Sequence, residues 1–113
     1  MKKPVIKQDP LYQFLRNEDI DGFNAQRDQL DTSELKNGDY RGRDLRHMNA
    51  DGLDFSSAYF RNSDLSGIDF RNTNLEGASL LDCKLSGVYF PSELSPDEIR
   101  LSLETGTRLR YRK

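Results

Sequence analysis

From Leu35 onward every fifth residue is apolar or aromatic: Leu35, Tyr40, Leu45, Ala50, Phe55, Phe60, Leu65, Phe70, Leu75, Leu80, Leu85 and Phe90. A period of five matches neither the 3.6 of a helix nor the 2.0 of a strand. One continuous helix or strand would scatter these side chains over every face. The chain must therefore turn once per repeat, and the neighbouring columns say how. Two places before the apolar residue stands a small or aliphatic one, as at Ser33, Gly38, Leu53, Ala58, Ser63, Ile68, Thr73, Ala78, Cys83 and Val88. One place before, Glu34, Asp39, Asp44, Asn49, Asp54, Asp64, Asp69 and Asn74 are acidic or amide. Short polar side chains there can bind local backbone at a turn. Two places after, Gly or Asn recurs at Asn37, Gly42, Gly52, Asn62, Gly67, Asn72, Gly77 and Gly87, where a corner needs unusual backbone angles.

Extended segments two inward side chains long, separated by such corners, would stack turn upon turn and pair like parallel strands at about 4.8 Å per turn. Pentads such as Asn62-Ser63-Asp64-Leu65-Ser66 and Gly77-Ala78-Ser79-Leu80 resemble the pentapeptide-repeat family, whose pattern is Ala-(Asp/Asn)-Leu-X-X. The resemblance covers residues 33–92, and the ending from Tyr89 to Tyr111 is similar to those of small bacterial members. It implies an all-β solenoid with helical caps, a right-handed quadrilateral β-helix of about three turns with four pentads in each. Arg43 and Met48 stand where small inward residues belong, so the first turn is expected to be irregular, its larger side chains meeting the N-terminal segment.

An open stack needs a cap at each end. Residues 1–32 are read as an N-terminal helical cap. Asp9-Pro10 starts one helix with Leu11, Phe14 and Leu15 on its apolar stripe, and a second helix follows Asp19 with Ile20, Phe23 and Leu30 facing the same core. Residues 33–92 are the repeat. Residues 93–113 form a C-terminal helix-strand cap and interaction segment. Ser95-Pro96-Asp97-Glu98 reads as a capping box for a helix over about 96–105, and Gly106 reads as its stop. Thr107 to Arg112 then alternates polar and apolar residues like a half-exposed strand.

Composition narrows the function. The 113 residues carry 17 basic and 19 acidic side chains, a net charge of −2, spread evenly along the chain, so the chain neither attracts nucleic acid strongly nor imitates it. No stretch reads as a signal peptide or membrane span, and Cys83 is the lone cysteine, which together predict a cytoplasmic protein without membrane attachment. No catalytic residue, metal site or cofactor is expected. His47, the one histidine, falls at an outward corner, Cys83 falls in an inward column, and no phosphate-loop, Ca²⁺-loop or dinucleotide motif is present.

The expected activity is therefore protein binding, by a non-enzymatic interaction module or scaffold. A twenty-residue turn would place Arg41, Arg61 and Leu81 in one outward column beside Tyr59, an aromatic, guanidinium and aliphatic mixture favoured at binding hot spots. Leu101 cannot share a helix face with Ile99 and Leu103. With Leu109 and Tyr111 it completes a set of candidate protein-binding residues, and a homodimer through the C-terminal segment is one expected use of them. The family resemblance implies a different alternative, a DNA mimic that modulates a type II topoisomerase. Three turns would span only about 15 Å, short for such mimicry.

Overall fold

The computed structural model describes residues 7–112. Parallel bridges join Asp39 to Tyr59, Tyr59 to Ser79, Asp44 to Asp64, Asp64 to Lys84, Asp54 to Asn74 and Asp69 to Tyr89, each pair twenty residues apart. The chain thus returns over itself once every twenty residues. The main chain alternates its bonds between neighbouring turns. Tyr59 donates its N–H to Gly38 O at 3.0 Å and accepts from Tyr40 N at 2.8 Å, while Phe60 N donates onward to Ser79 O at 3.0 Å.

The corners have the conformation that the Gly/Asn column requires. Positive φ occurs at Asn37, Gly42, His47, Gly52, Ser57, Asn62, Gly67, Gly77, Asp82 and Gly87, a left-handed residue every fifth position with Asn72 interrupting the series. The polar column fastens each turn. Asp39, Asp44, Asn49, Asp54, Asp64, Asp69 and Asn74 each accept a bond from the N–H two residues on, at 2.8 Å from Ser56 to Asp54 and 3.0 Å from Arg71 to Asp69.

One correction concerns strands. Among the described residues no continuous strand or sheet forms, and the regular elements are three helices: α1 (Pro10–Arg16), α2 (Ile20–Gln26) and α3 (Pro96–Thr105). The cause is local. A left-handed corner every fifth residue ends each extended segment after one bridged position, so the ladders stay isolated.

The central column is the core. Leu35, Tyr40, Leu45, Ala50, Phe55, Phe60, Leu65, Phe70, Leu75 and Leu80 are buried, and successive rings stack along it: Tyr40 on Phe60 at 5.4 Å, Phe60 near Phe70 at 6.3 Å and Phe70 on Phe90 at 6.4 Å between centroids. Leu85 and Phe90, at the far end of the column, are only half-buried.

Side chains from α1 and α2 close the first turn by satisfying its outward carbonyls. Asp9 and Asp19 cap the two helices, accepting from Tyr12 N at 3.2 Å and Gly22 N at 3.0 Å. Leu11, Tyr12, Leu15 and Phe23 are buried against the column. Tyr12 Oη and Arg16 Nη1 donate to Asp39 O, each at 2.9 Å. Asn24 Nδ2 donates to His47 O, while Arg27 reaches Asn49 O and Asp51 O, both at 2.7 Å. Leu30 departs from expectation: α2 ends at Gln26, and Leu30 lies beyond it, 38% exposed. Met48 is buried, and Arg43 approaches Glu18, between α1 and α2, at 4.0 Å, so of the two oversized residues of the first turn Arg43 reaches the N-terminal segment.

At the other end α3 starts on Ser95, whose Oγ accepts from Glu98 N at 3.1 Å, and stops at Gly106 with φ 77°. Only this half of the expected capping box forms, because the Glu98 carboxylate turns instead to Arg110 at 3.0 Å. Residues 107–112 do not make the expected strand. They lie on the third turn through single contacts: Leu109 N donates to Ala78 O at 2.8 Å, Leu109 O accepts from Gly77 N at 2.7 Å, and Tyr111 Oη accepts from Leu75 N at 2.8 Å.

Candidate protein-binding groove

The twenty-residue register brings Arg41, Tyr59, Arg61 and Leu81 onto one face, with Tyr59 bridged between Asp39 below and Ser79 above. The Tyr59 ring is the centre of a cationic cluster. The guanidinium of Arg61 lies 4.6 Å from its centroid, that of Arg108 4.8 Å and that of Arg41 5.9 Å, distances at which the ring quadrupole attracts a cation.

Each arginine is held by a separate set of acceptors. Arg41 grips Asp39 through two bonds of 2.9 and 2.7 Å, which lowers the Asp39 carboxyl below its ordinary range. Arg61 donates from Nε to Ser79 Oγ at 2.9 Å and from Nη2 to Gly106 O at 3.0 Å. Arg108 donates from Nη1 to Ser57 O at 3.1 Å and Gly77 O at 2.8 Å. Arg61 makes no ion pair among the described residues.

Tyr59, Arg61, Leu101, Gly106, Thr107, Arg108 and Arg110 line an open groove of about 540 Å³. Leu101, 39% exposed, supplies its apolar wall from α3, on the helix side opposite the half-buried Ile99 and Leu103. Leu81 reaches the same region: a Cβ at Gly106 would stand 3.4 Å from its Cδ2 and 3.2 Å from Arg61 Nη2. Gly106 therefore serves twice, as the left-handed stop of α3 and as the flat spot on which Arg61 rests.

Two of the sequence-predicted residues belong elsewhere. Leu109 is 1% exposed and Tyr111 is half-buried with its hydroxyl on the third turn, so both spend their apolar surface within the chain. The expectation that they present it to a partner is corrected by that packing. Conversely, sequence reasoning missed Gly106, Thr107, Arg108 and Arg110 as groove residues. The alternation of 107–112 marked them as a half-exposed segment, but the pentad period says nothing of where a non-repetitive tail will lie.

Neither His47 nor Cys83 lines the groove. Cys83 is buried, its Sγ 2.9 Å from Phe60 O, and burial pushes its thiol up to about 11, away from the thiolate a nucleophile requires. His47 is exposed at a left-handed corner, beside a polar depression of about 290 Å³ that Glu18, Asp21, Asp44 and Arg46 also line. Arg46 holds Asp44 at 2.7 Å and lowers its carboxyl to about 2. Among the described residues no cluster of His, Cys, Asp or Glu could hold a metal ion, and no helix is long and apolar enough to cross a membrane.

The profile of pentapeptide repeats, in eight copies, matches residues 44–77 and 54–90. No curated protein sequence and no solved structure matches the chain. With the repeat profile, the five-residue columns and the twenty-residue bridges all in one register, residues 44–90 are a run of pentapeptide repeats.

Proposed function

We propose that the chain is a non-enzymatic protein-interaction module working in the cytoplasm, built on a right-handed quadrilateral β-helix of about three turns over residues 33–92. The N-terminal helices α1 and α2 and the segment from α3 onward act as its caps, while the ends of the expected cap spans 1–32 and 93–113, residues 1–6 and 113, lie outside the described residues. The observation that carries this reading is the groove, where an aromatic ring, an exposed leucine and unpaired positive charge from Arg61 meet on a rigid wall. Its charge suits a segment that carries a carboxylate beside an apolar side chain, the carboxylate going to Arg61 and the apolar group to Leu101 and Tyr59.

Neutralised faces count against the alternative of DNA mimicry. Arg41, Arg46 and Arg71 clamp Asp39, Asp44 and Asp69 at 2.7, 2.7 and 2.8 Å, so the acidic column does not present the uniform negative field of a duplex. The test compares proteins retained by the unaltered chain, by Leu101→Asp and by Ser66→Ala, followed by reconstitution with each purified candidate. The groove reading requires that binding be lost with Leu101→Asp and kept with Ser66→Ala. Equal binding by both variants refutes it. Inhibition of topoisomerase supercoiling by the purified chain would favour the mimic instead. Sedimentation equilibrium that Leu101→Asp shifts from dimer to monomer would make the partner a second copy, through the C-terminal segment.

A further inference from the structure

The end of the coil at the third turn is closed over only half its length. Its upward N–H groups are satisfied in sequence by the C-terminal segment: Leu75 by Tyr111 Oη at 2.8 Å, Gly77 by Leu109 O at 2.7 Å, Leu80 by Ser102 Oγ at 3.0 Å and Asp82 by Leu103 O at 3.0 Å. There the cover stops. The equivalent groups on the following faces, the N–H of Leu85, Gly87 and Phe90 and the carbonyls of Cys83 and Val88, have no hydrogen-bond partner among the described residues. In the turn below, the corresponding N–H groups of Leu65, Gly67 and Phe70 are all bonded, to Lys84 O, Ser86 O and Tyr89 O at 3.0, 2.8 and 2.7 Å. The side chains agree with the backbone. Leu85, Val88 and Phe90 are half-buried where their counterparts Leu65, Ile68 and Phe70 are buried.

An unpaired edge floored by apolar side chains is a template for an added strand. The chain itself shows what fits. Ten residues earlier, the corresponding positions Gly77 and Ala78 are met by an extended segment in which Leu109 accepts from the first and donates to the second while burying its own side chain to 1% exposure, and the N–H of Leu80 is met by Ser102 Oγ of α3. The helix and tail already stand over residues 75–82, so a second copy set squarely on this end would meet them before it reached residues 85–90. A single extended segment need only lie beside them. We infer that the edge from Leu85 to Phe90 receives an extended segment of a partner protein. That segment has an aliphatic residue whose N–H and C=O face Val88 O and Gly87 N, with polar residues on either side. This site is separate from the groove at Tyr59.

The probe is a blocked hexapeptide with the chain's own tail sequence, Thr-Arg-Leu-Arg-Tyr-Arg, titrated into the isotope-labelled full chain. The amide signals of Leu85, Gly87 and Phe90 should shift saturably, and their hydrogen exchange should slow by about tenfold or more. A peptide with proline in place of the leucine lacks the donor N–H and should leave all three unchanged. No saturable shift at millimolar peptide overturns the inference, as do shifts confined to Gly77 and Ala78, which would mean displacement of the native tail. Protection of the same three amides without peptide, in a chain that sediments as a dimer, overturns it in favour of a second copy. Repeating the titration with Leu101→Asp separates this site from the groove, since that variant should bind the peptide unchanged.

Discussion

The hydroxyl of Tyr12 donates to the main-chain carbonyl of Asp39 at 2.9 Å, carrying a hydrogen bond from α1 to the first turn of the repeat across twenty-seven positions of sequence. The bond substitutes for the one that an earlier turn would have made. Arg16 Nη1 reaches the same oxygen, so it has two donors. Tyr12→Phe should therefore cost only about 1 kcal/mol in a urea melt, because Arg16 keeps the carbonyl satisfied. The double variant with Arg16→Ala should cost more than the sum of the single changes, since the buried oxygen would then be left bare.

Leu65 and Phe70 are both 0% exposed in the central column, with Phe70 lying between the rings of Phe60 and Phe90. Truncating either to Ala should destabilise the chain by about 3 kcal/mol, a large part of the stability of a small domain. Ser66→Ala, on an outward position, should change it by less than about 0.5 kcal/mol. Thermal melts that fail to separate these variants would contradict the five-residue register.

Corner strain makes a sharper distinction between residues of one column. Gly67 has φ 78° with open space around it, and His47 has φ 74° with a β-carbon already in the unfavourable region. Gly67→Ala should lose about 1 kcal/mol from backbone strain alone, whereas His47→Gly should gain about as much. Denaturant midpoints moving in the same direction for both would show that something other than φ governs the corners.

What was legible in the sequence follows from this periodicity. Leu35 through Phe90, the Asp/Asn turn acceptors and the corner glycines repeat, so each reinforces the reading of the others. The caps could be placed because Asp9, Asp19 and Ser95 precede helices with local signals. The groove was half legible: Arg41, Tyr59, Arg61, Leu81 and Leu101 were in view, but Arg108 was not, because the path of residues 107–112 depends on which main-chain groups the third turn leaves open. That same dependence turned Leu109 from a surface candidate into a core residue. No local pattern encodes it.

Arg71 holds the exposed Asp69 carboxylate through bonds of 3.0 and 2.8 Å, and lowers its pKa to about 2. A carboxyl depressed on folding contributes stability that is complete above its unfolded value, near 4, and is lost as the pH falls through the folded one. The contribution of Asp69 should therefore fade between about pH 4 and pH 2. Carbon-detected titration of the Asp69 carboxyl should give a midpoint near the lower value, and Arg71→Ala should raise it toward the ordinary aspartate range. A midpoint unmoved by that substitution would exclude the arginine as its cause.

Bridges that fall twenty residues apart make the length of this chain a stepped quantity. Inserting five residues between Phe60 and Phe70 would keep every inward column inward, yet carry all later outward residues one side further round. Tyr59 would lose Ser79, its bridge partner in the turn above, and the guanidinium of Arg108 that lies over its ring. Inserting twenty would instead lengthen the coil by one whole turn and restore every alignment. Changes of length short of a full turn are thus filtered by the surface rather than by the core, and a lineage of such chains can grow or shrink freely only in increments of one complete circuit.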